Sequence, residues 1–438
     1  MKNLKNCRIF LILIFSLFSC SEETDFNDEI ISTNEMPKDI TDTNRSITRR
    51  DMPVYLRDRL IVRYAPGTTS SEKADLRDIY GVTNYKICEH CSDDTIELWM
   101  FGLGIDIEPK KTAIEQGSDG GIESAIIDVD YEFTFGIDIS NPDLGSLTDY
   151  SYSSYIKTSN DGITIAVLDT GLAPTIGDDT SYVFTGPFLY NASGDGNANV
   201  YSGWDFVNQD HNSFDDNNGR HGTVVSSIIT TILNESSPAV PHQIMPLKVC
   251  DENGRASYFN FLCATSFGLE HADILQMSLG WYEDGFGDFL NTIIAAIIDE
   301  NPNALVVASA GNLENNNDIL AHYPSGYSHE NIIAVAAADK LVNFDASFSS
   351  SNIASFSNYG LESVDFFSKG ENIPFLGYEM SGTSFAAPVV TGVLARYKYN
   401  HPSYSASELK YQLNISGIPC PTSFNTAKKV LYNKIILP

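Results

Sequence analysis

Five continuous apolar runs, each ending in small or polar residues, constrain the fold of this chain most. They read GITIAVLDTG, HQIMPLKVCD, ADILQMSLG, NALVVASAGN and ENIIAVAAAD. None alternates apolar with polar residues, as a strand with one wet face does. A strand that is apolar along its whole length must be covered on both sides, which is the condition of a parallel sheet between two layers of helices. TVVSSIITTIL, SYFNFLCATSFGLEH and DFLNTIIAAIIDENP lie between the runs and have the length and apolar content of those helices. The expected fold class is therefore α/β, a doubly wound, mainly parallel sheet with helices on both faces, over residues 161–438. Chemistry in such a sheet belongs at the carboxyl ends of its strands.

Ahead of that core lies a smaller pattern. RLIVRYAPG reads as a short strand, TSSEKADLRDIYGV as a helix with a Ser/Thr cap and a terminal glycine, and DTIELWMF as another strand. KKTAIEQGSDGGIESAII holds a helix broken at Gly117 to Gly121, and DVDYEFTFGI is a final strand. This β-α-β-α-β order predicts a small α+β domain over residues 51–140, followed by a polar, Tyr- and Ser-rich linker at 141–160. Residues 21–50, rich in Asp, Glu, Thr, Ser and Asn, have the composition of a solvated tether. Residues 1–20 carry a basic start (Lys2, Lys5, Arg8), an apolar run from Ile9 to Phe18, and Cys20. The run is too short to cross a bilayer and reads as an export signal. With 438 residues and 42% hydrophobic content the chain can fill two cores. Its net charge of −30 argues against a nucleic-acid partner, because binding a phosphate backbone needs a basic face.

Three polar residues fall where the sheet's chemistry is expected. Asp169 ends the run ITIAVL, His221 opens the segment HGTVVSSIITTIL, and Ser384 lies in SGTSFAAP, where a turn runs into a small-residue helix. A serine at a helix start sits beside unpaired N–H groups and the positive end of the helix dipole, which stabilise negative charge. In this placing Pro388 falls in the first turn, where its missing N–H costs nothing. A neutral hydroxyl becomes a nucleophile when an imidazole takes its proton and a carboxylate orients the imidazolium, and these three residues supply that set. Taken singly, each has a plainer reading, such as a helix cap for the serine.

AVLDTG, HGT, LQMSLG, ASAGN and SGTSFAAP together resemble, in order, the motifs of the subtilases, the subtilisin-like serine peptidases, over roughly Gly162 to His401. The resemblance implies the subtilisin fold and peptide-bond hydrolysis through an acyl-enzyme. It makes Ser384 the nucleophile, His221 the general base and then acid, and Asp169 its orienter. Asn312 becomes the side-chain oxyanion donor, with the Ser384 backbone N–H as companion. Gly254, Arg255 and Ala256 resemble the edge that binds an extended peptide as an added strand. Met277, Ser278, Leu279 and Gly280 resemble the segment lining the primary pocket. His322, in HYPSGY, stands where the family usually has a small residue at the pocket floor. That implies a shortened or polarised pocket disfavouring bulky aromatics before the cut, the plainer reading being a surface-loop histidine. Protein or peptide substrates follow, and no cofactor is needed for the chemistry.

Two positions depart from the family pattern: Arg220 replaces the usual glycine before the histidine, and Val224 the usual histidine after HGT. Arg220 is expected to disfavour protonation of His221, to attract acidic substrate residues, or to point to solvent. The segment GWDFVNQDHNSFDDNNG reads as solvated acids, with a structural calcium as the alternative. The 51–140 domain resembles a subtilase propeptide, which implies an intramolecular inhibitor and folding aid, cut off by the protease itself between about Phe135 and Lys157. Cys20 resembles the lipidated cysteine of bacterial lipoproteins, and SEETDFNDE after it the surface-export tethers of Bacteroidota lipoproteins. These imply membrane anchoring at a bacterial cell envelope until maturation sheds the protease. Cys88 and Cys91 read as a local disulfide or ordinary thiols, and Cys250 with Cys263 as a candidate bridge. Alternatives to a general secreted endopeptidase are a processing peptidase dedicated to one exported peptide and a catalytically silent peptide-binding surface lipoprotein.

Overall fold

The computed structural model describes residues 53–88, 94–102, 104–115, 126–134, 162–174, 184, 186–189, 203–282, 292–338, 353–416, 418–419 and 429–430. The export signal, Cys20, the tether, Cys91, Gly117 to Gly121, Cys420, the linker and the expected cut all lie outside the described residues.

The smaller domain contains β1 (Val54–Arg63), α1 (Ser70–Tyr80), β2 (Asn84–Ile87), β3 (Ile96–Met100), α2 (Ile107–Glu115) and β4 (Ile126–Thr134). Its strands lie antiparallel in the order β2-β3-β1-β4. Helix α1 is defined by its ends. The Thr69 hydroxyl accepts the Glu72 N–H, the Glu72 carboxylate accepts the Thr69 N–H, and Gly81 closes the helix in the left-handed conformation, φ 71°. Strand β2 is one more than the sequence pattern predicts, because none of its four residues is buried and no apolar periodicity marks it.

The larger domain begins with β5 (Ile163–Asp169), β6 (Trp204–Asp205), α3 (His221–Glu235), β7 (His242–Lys248), β8 (Arg255–Ser257), α4 (Tyr258–His271), β9 (Ile274–Met277) and β10 (Trp281–Tyr282). It continues through α5 (Thr292–Glu300), β11 (Leu305–Ser309), β12 (His322–Tyr323), β13 (Ile332–Ala338), β14 (Phe366–Lys369), β15 (Ile373–Phe375), β16 (Tyr378–Met380), α6 (Thr383–Asn400), α7 (Ala406–Ser416), β17 (Ile418–Pro419) and β18 (Lys429–Val430). The main sheet has the order β17-β18-β14-β13-β11-β9-β5-β7-β6 and is parallel throughout except where β17 meets β18. The five apolar runs form its adjacent centre, β13-β11-β9-β5-β7. Successive residues of each strand point into different layers. Ile165 and Val167 of β5, with Val307 of β11, pack with α3 and α6; Ala166, Leu168, Val306 and Ala308 pack with α4 and α5. The chain leaves β5 toward β7 and returns through α4 to β9 on the other side of β5. The strand order therefore reverses at the carboxyl end of β5, where Asp169 stands. Among the described residues no helix is long and apolar enough to cross a membrane.

The two domains meet along α4, α5 and β8. Strand β4 pairs antiparallel with β8, setting Glu132 opposite Ser257, Phe133 opposite Ala256 and Thr134 opposite Arg255. Phe133 packs against Trp281, with ring centroids 4.8 Å apart. Two carboxylates of β4 serve the helix starts of the larger domain. Asp128 accepts from Thr292 Oγ1 at 2.6 Å and the Ile293 N–H at 2.9 Å, and Asp130 accepts the Phe259 N–H at 3.2 Å. Helix N-termini leave such N–H groups without carbonyl partners, and an anion there also meets the favourable end of the dipole. A disulfide joins Cys88, just after β2, to Cys263 in α4, across a sequence separation of 175. This corrects both expected pairings, since Cys88 bonds neither locally nor remains a thiol, and Cys263 does not bridge to Cys250. Cys250 is a buried thiol, pushed well above the ordinary cysteine range by burial.

Candidate active site

Asp169 and His221 meet because a glycine lets α3 start against the end of β5. A side chain on Gly222 would place its Cβ 2.3 Å from the Gly171 carbonyl oxygen and 3.0 Å from Asp169 Cβ. With glycine there, His221 Nδ1 lies 2.8 Å from Asp169 Oδ1 and 3.0 Å from Oδ2. Oδ1 also accepts the Thr170 N–H at 2.7 Å, and the Thr170 hydroxyl accepts the Gly222 N–H at 3.0 Å. Both members of the pair are buried. An ionised carboxylate that accepts from Nδ1 fixes that nitrogen as the donor, leaving Nε2 as the basic one. The imidazole also packs against Phe385, ring centroids 5.3 Å apart, beside the serine helix.

Ser384 is the second residue of α6, so its N–H is among those that no helical carbonyl reaches. Pro388 lies in the second turn rather than the first, a correction with a consequence. Its ring nitrogen cannot donate to the Ser384 carbonyl four residues back. That carbonyl accepts instead from Ser278 Oγ at 2.7 Å, and Ser278 Oγ accepts from Gln276 Nε2 at 2.8 Å. The segment expected to line the primary pocket is thus fastened to the serine's own peptide unit.

Asn312 is held by the residue before Ser384. Its Oδ1 accepts the Thr383 N–H at 2.8 Å and the Thr383 hydroxyl at 2.9 Å. Because a backbone N–H can only donate, the accepting atom must be the oxygen. The amide nitrogen is thereby turned away from Thr383, an orientation suited to an oxyanion donor.

The sequence-predicted groove residues separate into two places. Arg255 and Ala256 lie on the edge that β4 occupies, and Gly254 immediately precedes that edge in a turn, its N–H donating to the Asp251 carbonyl. Met277 ends β9, Ser278, Leu279 and Gly280 follow it, and all four are buried, as is His322. His322 is no surface-loop residue. It is buried, its Nδ1 is 2.8 Å from Ser325 Oγ, and a Cβ on Gly280 would lie 2.3 Å from its Cε1.

The chain belongs to the subtilase family. Residues 160–416 match the family model described as "Subtilase family". The chain is 31% identical over 260 residues to a thermophilic serine proteinase of Bacillus sp. (strain AK1), covering 57% of this chain and 54% of that one. It is 30% identical over 267 residues to a thermostable alkaline protease of Halalkalibacterium halodurans, covering 58% and 61%. It thus spans little more than half the length of these two relatives. Subtilisin DY of Bacillus licheniformis is 25% identical over 283 residues, 61% of this chain and 88% of that one. Among solved structures, a cold adapted subtilisin-like serine proteinase overlays 68% of this chain and 97% of its own with a TM-score of 0.47 and 22% identity.

Within this subtilase domain the departures from family pattern have structural roles. Arg220 adopts the left-handed conformation, φ 49°, that favours glycine, and it is buried rather than solvent-directed. Its guanidinium donates to the Asn217 carbonyl and faces the Asp215 carboxylate. Burial also removes it from reach of substrate residues. Val224 is buried in the α3 layer. The acids expected to be solvated are engaged within the protein. Asp205 and Asp215 are buried, Asp205 accepts from the Val207 and Asn208 N–H groups, and Asp215 accepts from Thr223 Oγ1 at 2.7 Å. Asp216 accepts from Lys248 Nζ at 2.5 Å. Burial opposes the Lys248 ammonium, but Asp216, Asp205 and Asp215 outweigh it and hold its pKa above the ordinary lysine value. Burial pushes the Asp215 carboxyl up, against the hydrogen bonds from Thr223. These partners already use the donor set a calcium ion would need, so the segment does not fit one.

Burial lowers His322 to about 3. Below pH 6.5 the unfolded chain binds a proton that the folded protein refuses until about 3, so stability falls as pH drops through that window. The cost is about 1.4 kcal/mol per pH unit at most. Urea unfolding at pH 7 and pH 5 should therefore show an acid loss that His322→Gln largely removes; an equal loss in both proteins would contradict it.

Proposed function

We propose that the protein is a serine endopeptidase that cleaves peptide bonds through Asp169, His221 and Ser384. The observation that carries this reading is the pair of hydrogen bonds that Thr383 donates, from its N–H and its hydroxyl, to Asn312 Oδ1, because it joins the oxyanion donor to the residue preceding the nucleophile. His221 Nε2 takes the Ser384 hydroxyl proton as Ser384 Oγ bonds to the substrate carbonyl carbon, and the carbonyl π pair moves onto oxygen. Asn312 Nδ2 and the Ser384 N–H hold that oxyanion. When the C–N bond breaks, imidazolium returns the proton to the departing amine and leaves an acyl-serine. Water then repeats the sequence and frees the acid.

The N-terminal domain acts in this reading as the intramolecular inhibitor. Its support is the antiparallel docking of β4 on β8, the edge assigned to an extended peptide. Self-cleavage between about Phe135 and Lys157 follows, with export and lipid anchoring at Cys20 beforehand; shedding of the matured protease comes only once the Cys88–Cys263 bridge is reduced or the smaller domain is degraded. His322 narrows the primary pocket by filling the space between Gly280 and Gly311, where a Cβ would lie 2.3 Å and 3.0 Å from its ring atoms. This favours a restricted specificity, and with it the processing-peptidase form of the proposal. A peptide-library digest by the matured protein tests both points. Cuts after small or unbranched residues are expected, whereas a profile dominated by Phe and Tyr before the cut would refute the pocket, and no cutting would refute the activity.

A further inference from the structure

We infer that Asn358 is a positioning residue for the oxyanion site, acting through the turn Ala310-Gly311-Asn312-Leu313. Asn358 is fully buried and lies in the loop before β14, far in sequence from the turn it touches. Its contacts bracket Asn312 from both sides. Its Oδ1 accepts the Leu313 N–H at 2.8 Å and the Asn315 N–H at 3.1 Å. Its Nδ2, which has two protons, lies 2.9 Å from the Ala310 carbonyl, 2.9 Å from Asn317 Oδ1 and 2.8 Å from the Tyr282 hydroxyl. Its backbone N–H donates to the Gly311 carbonyl at 2.9 Å. The peptide units on either side of Asn312 are therefore fixed by one residue, the following unit by its side chain and the preceding one by its backbone N–H, while the side chain also holds the Ala310 carbonyl one unit further back.

The turn needs such a clamp because, beyond the Ala310 N–H that still donates to the Val335 carbonyl of β13, its backbone has no sheet to hold it. Strand β11 ends at Ser309, and Gly311 takes φ 102°, outside the region that side-chain-bearing residues adopt readily. The close approach is also steric. A Cβ on Gly311 would sit 2.5 Å from Asn358 Nδ2 and 2.6 Å from the Tyr282 hydroxyl. Thr383 fixes the amide of Asn312 from the nucleophile's side, and Asn358 fixes its backbone from the opposite side. An oxyanion donor stabilises charge without reorganising only if both are set beforehand.

This inference rests on Asn312 being the oxyanion donor, so the experiment is a double-mutant cycle on the full chain after maturation. Asn312→Ala alone should lower kcat about a hundred- to a thousandfold. Asn358→Ala should lower kcat about ten- to a hundredfold, since a small misplacement of a catalytic group costs that much, while KM changes less than about twofold. In the Asn312→Ala background, Asn358→Ala should cost less than about threefold, because the group it positions is gone. Asn358→Asp keeps the acceptor toward Leu313 but turns an oxygen on the Ala310 carbonyl. It should reproduce the kcat loss, and it serves if the alanine variant does not fold. If Asn312→Ala leaves kcat intact, the oxyanion reading fails and takes this one with it. If Asn312→Ala behaves as expected but the Asn358 loss is equal in both backgrounds, or falls on KM, Asn358 is merely structural and only this inference fails.

Discussion

Replacing Ser384 with alanine is expected to lower peptide hydrolysis about a millionfold, and replacing His221 as well to cost almost nothing more, as known for triads of this kind. Each of the two acts only through the other. Without the Ser384 hydroxyl, His221 has no proton to take, and without His221 the hydroxyl stays neutral and unreactive. The fold should survive the substitution, because what Ser278 holds is the Ser384 backbone carbonyl, which alanine keeps. A fluorophosphonate probe should label the wild-type protein at Ser384, label neither variant, and leave the thermal midpoints within a few degrees of one another. Losses that multiply between the two variants, or label elsewhere in the chain, would show that the nucleophile is another residue.

Asp169→Asn is expected to cost about ten-thousandfold in kcat with little change in the fold, by reversing the imidazole rather than removing it. The Thr170 N–H donates to Oδ1, so the asparagine must keep its oxygen there and put its amide nitrogen at the Oδ2 position, 3.0 Å from His221 Nδ1. Two donors cannot face each other. His221 Nδ1 also lies 2.8 Å from the retained oxygen, but the tautomer expected to relieve the clash is the one in which Nδ1 accepts from the amide, the ring proton moves to Nε2, and the nitrogen that should receive the serine proton already carries one. Nuclear magnetic resonance of the imidazole nitrogens in the variant would report that tautomer directly. An Asp169→Asn protein that retained Nδ1–H, or kept more than a hundredth of wild-type kcat, would contradict the role given to the carboxylate.

The sheet was readable because burial on both faces leaves an unbroken apolar run, and all five such runs became its central strands. Strand β14 was not: FFSK is four residues long and ends in two polar residues, so no sustained apolar run marks it. Among the site residues, Asp169, His221, Asn312 and Ser384 stood in local motifs. Asn358, Tyr282 and Gln276 carried no local signal, because what they do depends on partners that are distant in sequence. Arg220 failed for the opposite reason. An arginine in isolation suggests a surface, and only the fold brings the Asn217 carbonyl and the Asp215 carboxylate to it. The bridge between Cys88 and Cys263 was out of reach for the same cause, since pairing across domains follows how they dock rather than how cysteines are spaced.

That bridge changes what maturation can achieve. The proposed cut between about Phe135 and Lys157 would turn one chain into two without making two molecules, because Cys88 and Cys263 stay bonded. The severed domain then faces β8 at a local concentration on the order of millimolar, set by the tether rather than by the solution. Dilution, which strips an ordinary product from an enzyme, has no purchase on it. The domains can separate only when an external thiol reduces the bridge or the smaller domain is itself degraded.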